Sequence, residues 1–238
     1  MRISIVIPAH DEEGVLEEIV EAVIAGTSEL DREVVVVDDV SSDRTGAIAD
    51  ELAVRYPEVR VLHRTKDNSF GNALRHGLAN AEGEVVIPVM ADMCDDVATI
   101  SRMAKVAEET GVAFVVGSRY MPGGGTVDQP RLKGLFSHTY SRIYSLMSGH
   151  AITDITNAFK AYRRDAIEGL DLDSDWFDIS VEIPSRILFE RSGDFREVPT
   201  IWTGRAVGES KFKLFTMGKN YVRWLIFVLR HRFSGRSR

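Results

Sequence analysis

Three carboxylates follow an apolar run near the middle of the chain. Val85–Met90 is apolar, and Asp92, Asp95 and Asp96 come directly after it. An apolar run that stops at clustered acids is typical of a buried strand whose carboxyl end opens into a site. Carboxylates held there would suit a hard divalent cation that carries phosphates. The same acids could instead begin the next helix, because Asp is favoured at helix N-termini.

Two further acidic clusters follow predicted strands. Arg2–Pro8 is an apolar run closely followed by Glu12, and Glu33–Val37 is a β-branched run that ends at Asp38 and Asp39. The carboxyl ends of parallel strands share one edge of a sheet, which is where ligands bind in open α/β folds. We therefore expect all three acidic clusters to lie on the same edge.

Strands and helices alternate through the first half of the chain. The predicted strands there are Arg2–Pro8, Glu33–Val37, Val59–His63, Glu84–Met90 and Gly111–Gly117. Helices of roughly a dozen residues separate them, which predicts a doubly wound, parallel α/β sheet. The second half is less regular. Its predicted elements are the helices Leu132–Met147 and Ile179–Glu190, the strands Asn157–Tyr162 and Phe195–Thr203, and an amphipathic helix over Leu214–Leu229.

Composition and charge restrict the partners of this chain. The 238 residues carry a net charge of −7, yet residues 210–238 contain eight Lys or Arg and no acid. A basic tail on an acidic body predicts an anionic partner, and we expect a membrane surface. Nucleic acid is disfavoured because no recognition motif appears. The apolar run Trp224–Leu229 is too short to span a bilayer, so it predicts an interfacial helix or a core helix.

The cysteine content and the absence of the usual phosphate-binding motifs also restrict the class of protein. Cys94 is the single cysteine, which fits a reducing compartment. Met1–Pro8 is predicted to be a strand and not a signal peptide, so we expect a protein peripheral on the cytoplasmic face of the membrane. The first strand is not followed by G-x-G-x-x-G, and the chain contains no P-loop lysine motif, so the common dinucleotide and nucleoside-triphosphate folds are disfavoured.

Several runs together resemble a known family. IVIPAHDEE, VVVVDDVSSDRT, GNALRHGLANAEGEVV and GSRY resemble the family 2 glycosyltransferases of GT-A fold. DITNAFKAYRR and GDFREVPTIWTGRAVGESKF narrow the resemblance to the dolichyl- or polyprenyl-phosphate mannose (or glucose) synthase-like branch. It covers about Ser4–Phe212. It implies a GT-A domain over 1–212, with a nucleotide-binding half (1–118) and an acceptor half (119–212), before a basic amphipathic helix and tail over 213–238.

The resemblance also implies a donor site. The matching nucleotide-binding positions are Pro8, Ala9, Glu12, Asp38, Asp39 and Arg205. His10-Asp11 stands where Tyr-Asn is common in the family. The metal motif, usually Asp-x-Asp, reads Met90-Ala91-Asp92 here, and Cys94 replaces a common Gln. We expect Asp92, helped by Asp95, to hold Mg²⁺ or Mn²⁺ against the diphosphate of GDP-mannose or UDP-glucose.

The acceptor implied by the resemblance is a prenyl phosphate. Its phosphate contacts match Arg119, Arg131, Lys133, Ser137 and Lys211, with Ser210 beside the last. Asp92 and Arg119 are the expected catalytic residues. A phosphate oxygen is already ionised at neutral pH, so inverting transfer needs no strong base. Two alternatives stay open: transfer to a sugar hydroxyl, with a base in the region of Asp178 or Glu182, and a catalytically inactive nucleotide-sugar-binding module recruited to the membrane.

Overall fold

The computed structural model describes residues 1–204 and 214–234. The strands are β1 (Ile3–Ala9), β2 (Arg32–Asp39), β3 (Val59–Arg64), β4 (Val85–Pro88), β5 (Phe114–Ser118), β6 (Gly125–Val127), β7 (Lys160–Arg163), β8 (Phe195–Pro199) and β9 (Ile201–Thr203). The helices are α1 (Leu16–Gly26), α2 (Thr45–Arg55), α3 (Phe70–Asn80), α4 (Ala98–Thr110), α5 (Arg131–Ser148), α6 (Arg164–Ile167), α7 (Ile179–Glu190) and α8 (Leu214–Ser234). The alternation predicted for the first half is confirmed.

Seven strands form one mostly parallel sheet in the order β3-β2-β1-β4-β7-β5-β8. Strand β7 alone runs antiparallel to its neighbours, β4 and β5. All seven residues of β1 are buried, as is expected of a mostly apolar strand when helices cover both faces of a sheet. The doubly wound α/β class is therefore confirmed. The predicted acceptor half contributes β7 to the middle of this sheet.

Alternate side chains of β1 enter two different cores. Ile5 and Ile7 pack with α1, α2 and α4 on one face, whereas Val6 packs with α3, α5, α7 and α8 on the other. This alternation follows from the two-residue period of a strand. Helix α8 buries Tyr221, Trp224 and Val228, so the C-terminal helix packs as part of the second core. In the described ranges, no helix is both long and apolar enough to cross a bilayer.

The predicted strand Phe195–Thr203 is two strands in two sheets. The Thr200 amide donates to Ser118 O in the large sheet, at 3.0 Å. The carbonyl of the same residue accepts from the Gly125 amide at 3.0 Å, so the chain changes sheets there. Strand β9 then pairs with β6, a short strand that the sequence did not indicate. Strand β4 also ends at Pro88, two residues earlier than predicted.

Candidate active site

The three acidic clusters meet at one edge of the sheet. Strands β2, β1 and β4 are adjacent and parallel, so their carboxyl ends lie side by side. Two cavities open there and share the wall formed by Met90, Asp92 and Phe177. We call them the β1 cavity and the α5 cavity, after an element that lines each. The predicted common edge is confirmed, and Asp92 lies where the two cavities meet.

The β1 cavity contains most of the predicted nucleotide-binding residues. Pro8, Ala9, Glu12 and Asp39 line it. Its aromatic lining consists of Phe70, Trp176 and Phe177. The rings of Phe70 and Phe177 stack at a centroid distance of 4.6 Å. A cavity with one polar wall and one aromatic wall can hold a nucleobase, because bases stack on aromatic rings while their edges form hydrogen bonds.

His10 lies in the β1 cavity, and both of its ring nitrogens have polar neighbours. Its Nδ1 is 2.8 Å from the carbonyl oxygen of Asp39, so Nδ1 carries the proton. Its Nε2 is 3.1 Å from Asn68 Nδ2 and 3.4 Å from Asp11 Oδ2. Asn68 also lines the cavity. The side chains of His10 and Asn68 together form a polar group at the cavity wall.

Asp38 and Asp39 face opposite sides of β2. Asp39 lies in the β1 cavity, where its carboxylate pairs with Arg64. Burial raises the pKa of Asp39 against the opposing effect of that guanidinium. Asp38 instead accepts from the Ser41 amide and lies 2.9 Å from Nδ1 of His63. Asp38 lines neither cavity. Adjacent residues of a strand point to opposite faces, so only one of this pair can reach a ligand in the cavity.

The acids after β4 take three different positions. Asp92 lies at the junction of the cavities, and its Oδ1 accepts from the Cys94 amide at 3.2 Å. Asp95 is buried and accepts from the Met90 amide at 3.0 Å. Burial, with the charge of Asp92 adding to it, raises the pKa of Asp95 to about 7. Asp96 accepts from the Ala98 amide at 3.1 Å, so it caps α4.

The carboxylates of Asp92 and Asp95 suit a cation that is also bound by a substrate. Within residues 1–204 and 214–234, no group of three or more His, Cys, Asp or Glu side chains is arranged to hold a metal ion on its own. Mg²⁺ commonly uses one or two carboxylates together with substrate phosphates and water. Asp92 and Asp95 both line the α5 cavity and meet that requirement. The residues present therefore fit a divalent ion that is held jointly with a diphosphate.

Arg119 forms a buried ion pair in the α5 cavity. Its Nε lies 2.7 Å from Asp154 Oδ2, and its Nη2 lies 2.8 Å from Asp154 Oδ1. Nη2 also donates to Thr156 Oγ1 at 3.1 Å. The Asp154 carboxylate raises the pKa of Arg119 against the opposing effect of burial. A fully charged guanidinium with a fixed orientation suits recognition of an anion.

Two other predicted acceptor residues line the same cavity. Lys133 and Ser137 lie on the first turns of α5, and Ser137 forms a short hydrogen bond with the Tyr120 hydroxyl. Arg131 also lies at the start of this helix but is exposed and outside the lining. Arg205, Ser210 and Lys211 lie outside the described residues.

Lys160 supports the loop behind Arg119 and was not predicted from the sequence. It is fully buried, and its Nζ donates to the carbonyl oxygens of Ile155, Asn157 and Ser180. Burial lowers the pKa of Lys160 to about 7. This contact fixes the loop over residues 154–158, which supplies Thr156, Asn157 and Ala158 to the α5 cavity. A signal was present, since Asp154 and Lys160 are charges in an otherwise mostly uncharged run.

The two acids suggested as a catalytic base, Asp178 and Glu182, lie outside the lining of both cavities. Glu182 is fully buried and accepts from the backbone amides of Asp173 and Ser174. Asp178 accepts from Ser174 Oγ at 2.8 Å and from Trp224 Nε1 at 3.2 Å. Neither acid lines the α5 or the β1 cavity. The hypothesis that one of them acts as a base is therefore not supported by their positions.

The fold and the site agree with the comparisons with known proteins. The sequence profile of glycosyl transferase family 2 matches residues 4–170, about 70% of the chain. The chain therefore belongs to glycosyl transferase family 2. The resemblance seen in the sequence is confirmed at this level.

Curated relatives match along nearly the whole chain. An undecaprenyl-phosphate mannosyltransferase of Micrococcus luteus is 33% identical over 94% of this chain and 94% of its own length. A polyprenol monophosphomannose synthase of Mycolicibacterium smegmatis is 33% identical over 88% of this chain and 80% of its own length. A dolichol-phosphate mannosyltransferase of Pyrococcus furiosus is 32% identical over 97% of this chain, which spans 63% of that relative's length.

Solved structures confirm the GT-A fold. Glucosyl-3-phosphoglycerate synthase of Mycobacterium tuberculosis, in complex with phosphoglyceric acid, matches with a TM-score of 0.71 at 17% identity, covering 96% of this chain and 80% of that one. The same enzyme in complex with Mn²⁺ and UDP-glucose matches with a TM-score of 0.71 at 18% identity, covering 96% and 79%. At this identity the likeness concerns the fold alone.

Proposed function

We propose that this protein transfers a sugar, with mannose favoured and glucose as the alternative, from a nucleotide-diphosphate sugar to a polyprenyl or dolichyl phosphate. The observation that carries the proposal is the meeting of two cavities at Asp92. One cavity has an aromatic wall beside Asp39, and the other contains Arg119 and Lys133. The names of the curated relatives support the same acceptor class.

The β1 cavity, built mainly from residues 1–118, is the proposed donor site. Phe70 and Trp176 offer faces for the nucleobase, and the pair His10–Asn68 offers hydrogen-bonding groups at its edge. Asp92, helped by Asp95, would hold Mg²⁺ or Mn²⁺ beside the diphosphate. A divalent ion bound there would neutralise the negative charge of the departing nucleoside diphosphate. GDP-mannose and UDP-glucose are both compatible with these contacts.

The α5 cavity, built mainly from residues 119–212, is the proposed acceptor site. Lys133 and Ser137 would bind the phosphate of the lipid, and Arg119 would orient it toward Asp92. Arg131 at the same end of α5 adds positive charge at the entrance. The phosphate oxygen is already an anion and attacks the anomeric carbon from the side opposite the leaving group. This attack inverts the configuration, and orientation and charge supply most of the rate enhancement.

A transfer assay with matched variants tests the proposal. Radiolabelled GDP-mannose and UDP-glucose are each supplied with a polyprenyl phosphate and Mg²⁺ or Mn²⁺, and the lipid product is tested for the acid lability of a glycosyl phosphate. Lys133→Ala should raise the KM for the lipid phosphate. Lys105→Ala, which removes an exposed lysine of α4, should leave it unchanged. Absence of transfer from every nucleotide sugar would overturn the proposal, and an acid-stable product would indicate a hydroxyl acceptor.

The lipid acceptor also sets the proposed location. A prenyl phosphate with a long chain stays in a bilayer, so the protein would act as a peripheral enzyme on the cytoplasmic face of a membrane. The helix α8 and the basic residues near it support this assignment, because cytoplasmic leaflets carry anionic lipids.

A further inference from the structure

The segment between α5 and β7 has no regular secondary structure, yet much of it is buried. Its buried residues are Ile152, Asp154, Ile155, Asn157 and Phe159. The backbone of a buried segment cannot bond to water, so its N–H and C=O groups need partners within the protein. For the loop over residues 153–158, two charged side chains, Glu197 and Lys160, supply several of these partners.

Glu197 of β8 binds N–H groups at the start of this loop. The Thr153 amide donates to its Oε1 at 2.9 Å, and the Asp154 amide donates to the same oxygen at 3.4 Å. The Thr153 hydroxyl also lies 2.9 Å from Glu197 Oε2. A negative charge therefore holds hydrogen-bond donors at one end of the loop.

Lys160 binds carbonyl groups of the same loop and of α7. Its Nζ donates to Ile155 O at 2.9 Å, to Ser180 O at 3.1 Å and also to Asn157 O. An ammonium group has three N–H donors, whereas a neutral amine has two and a lone pair. All three contacts therefore require the charged form of Lys160. Without that proton, the lone pair would face one of the carbonyl oxygens, and one contact would be lost.

The loop in turn positions the guanidinium of Arg119. Asp154 lies in the loop and forms the two-contact ion pair with Arg119, while Thr156 Oγ1 accepts from Arg119 Nη2. Asn157 Nδ2 donates to Gly117 O at 2.7 Å, which bonds the loop to β5 just before Arg119. A displacement of the loop would therefore move the two side chains that orient Arg119.

The charges around Lys160 act in both directions. The carboxylates of Asp154 and Glu197 favour its charged form, and the guanidinium of Arg119 disfavours it. Burial is the larger effect, and it lowers the pKa of Lys160 to about 7. The ammonium group is therefore present below this pKa and is lost as the pH rises through it.

Other titratable groups of this region must be separated from Lys160. Burial raises the pKa of Asp95, which lines the α5 cavity, to about 7 as well. Glu182 of α7 accepts from the amides of residues 173 and 174, and Asp178 accepts from Trp224 Nε1. Burial raises the pKa of each tyrosine in the neighbouring core, so these phenols stay neutral: Tyr140, Tyr144, Tyr162 and Tyr221. A comparison of variants is therefore needed to assign a pH effect to Lys160.

We infer that Lys160 is a positioning residue for the acceptor phosphate, because its ammonium group holds the 153–158 loop and, through this loop, the guanidinium of Arg119. The inference rests on the proposed function for the identity of the anion that Arg119 meets. Loss of the ammonium group should release part of the loop, reorient Arg119 and weaken the binding of the phosphate. No residue of this loop lines the β1 cavity, so nucleotide binding should stay unchanged.

Separate KM values for the two substrates test this role. Lys160→Met removes the ammonium group and keeps an unbranched side chain. It should raise the KM for a short, water-soluble prenyl phosphate by at least roughly tenfold and change the KM for the nucleotide sugar by less than about twofold. Lys105→Met, the same change at an exposed position of α4, is the matched control and should alter neither value. A folded Lys160→Met protein with an unchanged KM for the prenyl phosphate, or with both KM values raised alike, would overturn the inference.

Hydrogen exchange reports on the loop without any substrate. Amides of residues 153–158 should exchange at least about tenfold faster in Lys160→Met, with a smaller change in β1. Equal acceleration in both segments would indicate general destabilisation and overturn the inference. If the wild type transfers no sugar, calorimetric titration with the prenyl phosphate replaces the KM. Weaker binding by Lys160→Met would then support the inference and reject the proposed function alone, whereas no binding by the wild type would reject both.

A second variant keeps the inference testable if Lys160→Met does not fold. In the wild type, the KM for the prenyl phosphate should rise between about pH 7 and about pH 9, where the phosphate itself stays doubly ionised. Glu197→Gln keeps an oxygen for the Thr153 amide but removes a charge that favours the ammonium form of Lys160. It should therefore shift the midpoint of this rise to lower pH. An unshifted midpoint, or a KM that does not rise in the wild type, would overturn the inference.

Discussion

Arg119 and Asp154 lie side by side with two nearly equal contacts, Nε to Oδ2 at 2.7 Å and Nη2 to Oδ1 at 2.8 Å. Asp154 is completely buried and Arg119 nearly so. The pair fixes the guanidinium plane at the wall of the α5 cavity, which is where the proposed acceptor phosphate would bind. If the acceptor phosphate binds there as proposed, Asp154 would act as a positioning residue through Arg119.

Removing one partner of this pair should cost more than removing both. We expect Asp154→Leu to lower the free energy of unfolding by about 3–5 kcal/mol, because it leaves a buried charge without its partner. Arg119→Met/Asp154→Leu should recover much of this loss and yet transfer no sugar. Urea unfolding of the single and double variants measures the effect. Additive losses in the double variant would contradict the interpretation of a coupled pair.

Asp92 and Asp96 provide a matched pair of variants four residues apart. Asp92→Asn keeps an oxygen for the Cys94 amide but removes the charge at the junction of the cavities. We expect at least about 100-fold slower transfer, because the leaving diphosphate would lose the carboxylate that we propose holds its metal ion. Asp96→Asn keeps the cap of α4 and should transfer normally. Initial rates over a range of Mn²⁺ concentrations distinguish them, and equal rates for the two variants would remove Asp92 from the mechanism.

Much of this arrangement followed from the sequence. An apolar run and a β-branched run, in regular alternation with helices, located β1 and β2, and parallel order placed their ends at one edge. The two-residue period of β2 also requires Asp38 and Asp39 to face opposite sides of the sheet, so the sequence alone implies that they cannot both face one ligand. The pairing of Arg119 with Asp154 was not predictable in the same way, because it joins residues that only the tertiary fold brings together. The short strand β6 is too brief to show a period.

Gly71 allows the start of α3 to approach the loop that carries Trp176. A Cβ at this position would lie 2.1 Å from the carbonyl oxygen of Ser174, which is backbone and cannot rotate away. Gly71→Ala should therefore displace this loop, open the aromatic wall of the β1 cavity and weaken nucleotide binding by at least roughly tenfold. Gly218→Ala in α8 meets nothing within 4 Å and serves as the control.

The control should be slightly stabilised, by about 0.5–1 kcal/mol, because alanine restricts the unfolded chain more than glycine does. Calorimetric titration with GDP and UDP measures both variants. Unchanged affinity in Gly71→Ala would show that the loop does not shape the nucleotide site.

His63 should give the stability a pH dependence above pH 6.5. Its Nδ1 lies 2.9 Å from Asp38 and its Nε2 lies 3.0 Å from Asp50, and these carboxylates raise its pKa above 6.5. The folded protein therefore holds the proton more tightly than the unfolded chain. The stabilisation is complete below pH 6.5 and is lost as the pH rises through the folded pKa.

Solvent limits the size of this effect. The His63 side chain is 43% exposed, so we expect a change below about 1 kcal/mol. Chemical denaturation at about pH 6 and about pH 8 should show the decrease in the wild type and not in His63→Gln. Asp50→Asn should show a smaller decrease in stability than the wild type over the same pH range. The same pH profile in His63→Gln and the wild type would assign the dependence to another group.

The position of β7 has a consequence for how the chain is made. This strand, Lys160–Arg163, lies between β4 and β5 in the sheet. Strand β4 ends at Pro88 and strand β5 begins at Phe114, so both precede β7 in the chain. When residues 1–118 have left the ribosome, β4 and β5 still lack the neighbour that joins them. Strands β4 and β5 can be joined in one sheet only after residue 163 has emerged. The last strand of the sheet, β8, is complete only when Pro199 has emerged. Until then the nascent chain exposes two apolar strand edges, which are sites for aggregation or for protection by a chaperone.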